Sequence, residues 1–198
     1  MFSPKRLALL SLIAFGLFAA PISAQTITAI VAQSGGTFDT DNSDYDILLT
    51  AVLAAGLDDD LDDANANLTV FAPNDGAFIK LAQDLGYTGS DEAGAWPFLA
   101  QALADLNDGV DPIPVLTNVL LYHVAPGRIS PLGLIIRTFF NIDINTLLPG
   151  ATIDPFFFKL RDNDPDLKNP RVRNPLNINA DNGKIHTINR VLIPIDIP

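Results

Sequence analysis

The chain has 198 residues, a formal net charge of −11, two histidines and no cysteine. Such a charge repels phosphate backbones and anionic lipid headgroups, which argues against nucleic acid and membrane-surface partners. The missing cysteine excludes disulfides, thiol nucleophiles and cysteine-linked lipid, so an exported form must be stable through its core alone.

Lys5 and Arg6 precede an uncharged apolar run from Leu7 to Ala20, and small residues follow at Pro21-Ile22-Ser23-Ala24. This is the three-part layout of a secretory signal peptide, with cleavage expected after Ala24, and the run is too short to span a bilayer. Residues 25–198 are then expected as one domain of about −13 net charge, secreted, periplasmic or at the cell surface, with no membrane insertion of the mature chain.

Thr26 to Ala32 reads as a short apolar helix or strand, broken at Gly35-Gly36 and followed by a polar loop over Asp39–Asp44. Ser43 or Asp44 can cap a helix carrying Ile47, Leu48, Val52 and Ala55, which Gly56 closes. Asp58–Asp63 follows as a dense acidic loop. Leu68–Phe71 is a buried strand pattern ended by Pro73, and Asn74 can cap a helix that buries Ala77, Phe78, Leu81 and Leu85. A helix is expected over residues 91–107, with Pro97 in its early turns. Another starts at Asp111-Pro112, carries Val115, Leu116, Val119 and Leu120, and ends near Tyr122-His123.

Beyond Gly127 short apolar segments broken by Pro, Gly and Asn suggest strands. Asp181-Asn182-Gly183 marks a hairpin turn, and Asp162–Pro175 a proline-bearing exposed loop. Helices first and strands last make the class α+β.

Enzyme signatures are missing: no Gly-x-Ser-x-Gly, no phosphate-binding Gly-rich loop and no His-Glu-x-x-His. No catalytic residue, cofactor or metal site is expected, since His123 and His186 are too few and too far apart for a histidine-rich centre. Asp39-x-Asp41-x-Ser43-Asp44 begins like a calcium loop, but Asp44 and Thr50 stand where an EF-hand has Gly and Glu. Glu92 is the sole glutamate beside 22 aspartates. Aspartate caps helices and sits in turns better than it propagates helices, so this charge belongs to loops and helix starts.

Three segments carry more information: Leu68-Thr-Val-Phe-Ala-Pro-Asn-Asp-Gly-Ala-Phe78, Leu120-Leu-Tyr-His-Val-Ala-Pro-Gly127 and Asn182-Gly-Lys-Ile-His-Thr-Ile-Asn-Arg-Val-Leu-Ile-Pro194. In this order, with the helix Tyr45–Val52 upstream, they resemble the sequence boxes of the fasciclin domain family over about residues 26–194. The resemblance implies a wedge-like β-sheet assembly flanked by several helices, and adhesion to extracellular protein or polysaccharide. In animal members the Tyr-His region is implicated in integrin binding. The match of position assigns Tyr122, His123 and Val124 to partner binding. Arg128 is added as a cation able to orient a carboxylate.

The chain departs from the family pattern at Gly76 and Asn189 and is longer over Thr88–Pro114 and Arg161–Pro175, which leaves the partner open. Tyr122 and His123 equally suit a hydrogen-bonded core, and His186 shares a strand face with Ile188 and is expected inside. A second reading is a small-molecule or lipid-binding module whose apolar pocket is lined by Phe139, Phe140 and Phe156–Phe158. The oligomeric state is open between monomer and weak dimer.

Overall fold

The computed structural model describes residues 25–34 and 36–197; the expected signal peptide at 1–24 lies outside them. In chain order the elements are α1 (Ile27–Ser34), α2 (Asp46–Ala55), α3 (Asp58–Asp62), β1 (Leu68–Pro73), α4 (Asp75–Asp84), α5 (Glu92–Asp105), α6 (Ile113–Tyr122), β2 (Val124–Pro126), α7 (Pro131–Phe140), β3 (Ile144–Asn145), β4 (Thr152–Phe156), β5 (Lys159–Arg161), β6 (Ile178–Ala180) and β7 (Gly183–Ile188). Helices and mixed sheets together give the α+β class. No helix among the described residues is long and apolar enough to cross a membrane.

Local chemistry explains most of these boundaries. The Asn74 side chain accepts the Ala77 N–H at 3.0 Å and starts α4, as its type and position imply. Gly56 takes a left-handed conformation (φ 65°) and returns its N–H to Leu53, ending α2. Asp91 starts α5 by accepting the Gly94 N–H at 2.8 Å. The acidic run at 58–63, expected as a loop, contains the short helix α3, because Leu61 is buried and anchors it while the aspartates face outward.

The main sheet has the order β2-β1-β7-β6. Its centre is the parallel pair β1 and β7, in which Phe71 lies opposite His186, while β2 and β6 add antiparallel edges. A second sheet runs β3-β4-β5. Helices α1, α2, α4, α5 and α6 build one core cluster with Val70, Ala72 and Ile185. A second cluster gathers Phe71, Tyr122, Leu134, Ile144, Ile153, Leu160, Ile188 and Leu192 between the two sheets. Trp96 is half-buried against the first cluster.

The hairpin expected at Asp181-Asn182-Gly183 joins β6 to β7. Asn182 is fully buried there: its Oδ1 accepts the Ile27 N–H, and its Nδ2 donates to the Leu61 and Asp63 carbonyls. One side chain thus ties the hairpin to α1 and to the C-terminal half of the acidic run.

The main departure from expectation lies after Gly127, where a helix, α7, interrupts the strands. Ser130 caps it through the Gly133 N–H at 3.1 Å, Pro131 occupies its first turn, and Asn141 in the left-handed region (φ 49°) stops it. Its β-branched and aromatic composition reads as strand, but cap, proline and stop residue together outweigh that weak preference.

Candidate functional site

The structure brings Tyr122, His123 and Val124 together as a buried hinge between α6 and β2, not as a surface patch. Tyr122 is 0% exposed and His123 2%, and Val124 is buried with them. The Tyr122 hydroxyl donates to the Thr152 carbonyl at 2.8 Å and joins α6 to β4. Burial, and then the charge of Asp162, push this phenol above its ordinary range. The adhesive surface expected at these residues is therefore corrected: α6 ends by turning its last side chains between the two sheets.

Both histidines are neutral linkers, and their tautomers follow from their partners. Leu192 donates its backbone N–H to His123 Nε2 at 2.9 Å, so His123 Nδ1 carries the proton and donates to the Val119 carbonyl at 2.7 Å. In His186 the roles reverse: Nδ1 accepts the Asn177 N–H at 3.1 Å and Nε2 donates to the Ile129 carbonyl at 2.8 Å. Burial holds His123 down to about 4 and lowers His186 as well.

A base whose folded pKa is depressed contributes stability above its unfolded pKa and loses it as pH falls through the folded one. For His123 that window runs from the ordinary 6.5 down to about 4 and is worth about 3 kcal/mol. Two-bond ¹H–¹⁵N spectra are expected to show opposite tautomers for the two rings and no titration near pH 6.5. A midpoint near 6.5 for His123 would place it in solvent.

Arg128 is exposed, but its guanidinium clasps the hairpin. Nη1 donates to the Ala180 and Gly183 carbonyls at 3.2 and 3.1 Å, and Nη2 to the Asp181 carbonyl at 2.6 Å. It closes the β6–β7 turn, and its hydrogen bonds are spent on the protein's own backbone.

What the molecule does present to solvent is an aromatic face. On α7 Leu132, Ile136, Phe139 and Phe140 recur at helical spacing and point outward, with Phe139 70% and Phe140 71% exposed, while Leu134 alone is fully buried. The β4–β5 turn adds Phe156, Phe157 and Phe158, all exposed. Thr138 joins the two parts, accepting the Phe157 N–H at 2.7 Å and donating to the Leu134 and Pro155 carbonyls. The Phe139 and Phe157 rings meet edge to face at 5.9 Å, Phe156 and Phe157 at 5.3 Å, and the Arg161 guanidinium stacks over Phe156 at 5.1 Å. The five phenylalanines expected to line a pocket form this outer face instead, with Phe157 in the left-handed region (φ 54°) at the turn between β4 and β5.

Charge is divided along the chain. Residues 25–127 hold 16 acidic side chains and a single cation, Lys80, whereas residues 128–198 hold nine cations against seven acids. The aromatic face lies in the second part, with Arg137, Lys159, Arg161 and Arg171 on or beside its elements. Arg161 is paired with Asp154 at 2.9 Å and Arg137 donates to the Asp143 carbonyl, while Lys159 and Arg171 have no ion-pair partner among the described residues.

A cavity of about 250 Å³ lies elsewhere, among α1, α2, α3, β1 and α6, lined by Ile27, Val31, Leu48, Val52, Leu120 and Val124. His123 reaches its wall. Asp60 and Leu147 also line it and are exposed, so the cavity opens beside the acidic run.

Comparison with known proteins supports this architecture. The family model for the fasciclin domain matches residues 43–194. Among solved structures, the FAS1 domain pair of the insect cell adhesion molecule fasciclin I is similar, with a TM-score of 0.57 and 16% sequence identity, covering 85% of this chain and 51% of that one. The chain therefore spans about half the length of that relative, and a likeness at this identity speaks for the fold alone. No curated protein sequence matches the chain.

Proposed function

The chain belongs to the fasciclin domain family, whose domains are adhesion-type modules, and on that premise we propose that residues 25–198 form a secreted, periplasmic or cell-surface adhesion module. It docks an extracellular protein of acidic surface through the aromatic face of α7 and the β4–β5 turn. The observation that carries this reading is the contiguous, solvent-facing set Leu132, Ile136, Phe139, Phe140 and Phe156–Phe158 beside cations in a strongly acidic molecule. Aromatic anchors with arginine at the rim are the composition of binding hot spots, and large exposed apolar patches are rare on surfaces without partners. Leucine and isoleucine among the phenylalanines favour a protein over a polysaccharide, whose rings are met by aromatic planes with polar neighbours.

Tyr122, His123 and Arg128 act in this reading as the frame that holds β4 and the hairpin, rather than as contacts. Binding of residues 25–198 to arrayed extracellular proteins and acidic polysaccharides, beside a variant lacking two of the phenylalanines, tests it. Saturable protein binding that the variant loses supports the reading. Binding to polysaccharide alone, or binding that the variant keeps, overturns it.

A second reading rests on the cavity: an uncharged apolar small molecule could fill it. A dry cavity of about 150 Å³ holds benzene, so 250 Å³ has room for roughly ten non-hydrogen atoms. The acidic mouth at Asp60 disfavours carboxylates. A medium-chain alcohol is expected to raise the thermal midpoint more than the carboxylate of equal length, and Val52→Trp, which fills the void, is expected to abolish the difference. Equal effects of alcohol and carboxylate, or of either on both proteins, would remove this reading.

A further inference from the structure

Four carboxylates are buried where the loop before α2 meets the first turns of α4 and α5. Asp44, Asp46, Asp75 and Glu92 are 9, 2, 0 and 1% exposed. Asp39 stands at the outer edge and donates its backbone N–H to Glu92 Oε2 at 2.9 Å. Among the described residues the ion pairs are Arg161–Asp154 and Arg190–Asp84, so no side-chain cation is paired with these acids.

Helix capping accounts for part of the cluster. Asp75 accepts the Asp46 and Ile47 N–H groups at 3.0 and 2.7 Å and caps α2 from across the loop, and Asp46 Oδ1 accepts the Gly36 N–H. Asp44 shares a side-chain hydrogen bond with Asp75, and burial raises the pKa of both groups. Capping does not account for Asp46 Oδ2 and Glu92 Oε1, two buried oxygens with no hydrogen-bond partner. An interior carboxylate oxygen without a donor or a cation is strongly disfavoured.

We propose that this cluster is a calcium site, with Glu92 shared between two overlapping ligand sets, Asp39-Asp46-Glu92 and Asp44-Asp75-Glu92. Within each set the ligand oxygens lie within 4.8 Å of one another. Oxygens bound at 2.3–2.6 Å sit at most about 5 Å apart across a calcium ion, so each set fits one coordination shell. The donors are all hard oxygens, which selects calcium or magnesium over zinc or copper. Burial leaves little room for the waters magnesium retains, which favours calcium. The loop opens with aspartates at alternate positions, as calcium loops do, and the glutamate it lacks in sequence is supplied from α5 by the only glutamate of the chain. An ion here would fasten the 36–46 loop, α4 and α5 together.

The test uses residues 25–198 stripped with chelator, titrated with calcium chloride and then magnesium chloride by calorimetry, with parallel thermal melts. One saturable calcium event is expected. Calcium at 100-fold over its dissociation constant should shift the unfolding equilibrium about 100-fold. Glu92→Gln and, independently, Asp46→Asn should lose at least 10-fold in affinity while melting in chelator no lower than the parent, because repulsion is relieved. The acidic-run variant Asp58→Asn/Asp60→Asn should bind as the parent does. Absence of a saturable event in the parent, or loss of binding in the acidic-run variant alone, overturns the assignment. If Glu92→Gln fails to fold, the parent titration with Asp46→Asn still decides.

Discussion

Replacing Phe139 and Phe157 together by serine is expected to leave the thermal midpoint of residues 25–198 within about 4 °C of the parent and to weaken partner binding at least 100-fold. The first half follows from exposure: surface substitutions away from buried features change stability by roughly 0.5 kcal/mol or less. Phe139 is 70% exposed, and the Phe157 N–H bond to Thr138 is a backbone bond that serine keeps. The second half follows from interface energetics, because truncating one aromatic anchor at the centre of an interface typically removes about 2 kcal/mol or more. The two rings touch edge to face, so the double substitution removes two anchors and the contact that orients them. Raising the salt concentration should weaken parent binding further if the rim cations meet an acidic partner. A binding curve unchanged by the double substitution would move the docking surface elsewhere.

Tyr122→Ala is expected to lower stability by about 3–5 kcal/mol, a fall in midpoint of about 10 °C for a chain of this size, with adhesion lost only to the extent that the fold is lost. The ring is enclosed by the cluster of Phe71, Leu134, Ile153 and Leu192, so truncation opens a cavity between the sheets. It also leaves the Thr152 carbonyl without its donor. Tyr122→Phe separates the two effects: it keeps the packing, removes the hydroxyl, and should cost about 1–2 kcal/mol with binding intact. Circular dichroism melts of both variants, beside binding measured well below their midpoints, check this. Loss of binding by fully folded Tyr122→Phe would restore a contact role to the hydroxyl.

Locally determined features were legible from residue types. The Asn74 cap, the end of α6 at Tyr122 and the turn at Asp181-Asn182 each depend on a few neighbouring residues whose chemistry is decisive. The α+β class and the family followed from segments of that kind in the right order. Features settled by distant parts of the chain were not legible. Tyr122 and His123 are buried because Thr152 and Leu192, 30 and 69 residues further on, close over them. The Phe156–Phe158 run reads as pocket lining, yet its turn carries it outward beside α7, a helix hidden in strand-like composition. The carboxylate cluster draws on positions from Asp39 to Glu92 and needs the loop, α4 and α5 in place before its oxygens converge.

Hydrogen exchange of residues 25–198 with and without a bound protein partner tests the docking surface most directly. Protection confined to Pro131–Ile142 and Asp154–Arg161 is the expected result, with α3 and the hairpin at Asp181-Asn182 unchanged. Protection centred on α3, or on the hairpin that Arg128 clasps, with α7 and the β4–β5 turn exchanging as in the free protein, would contradict it.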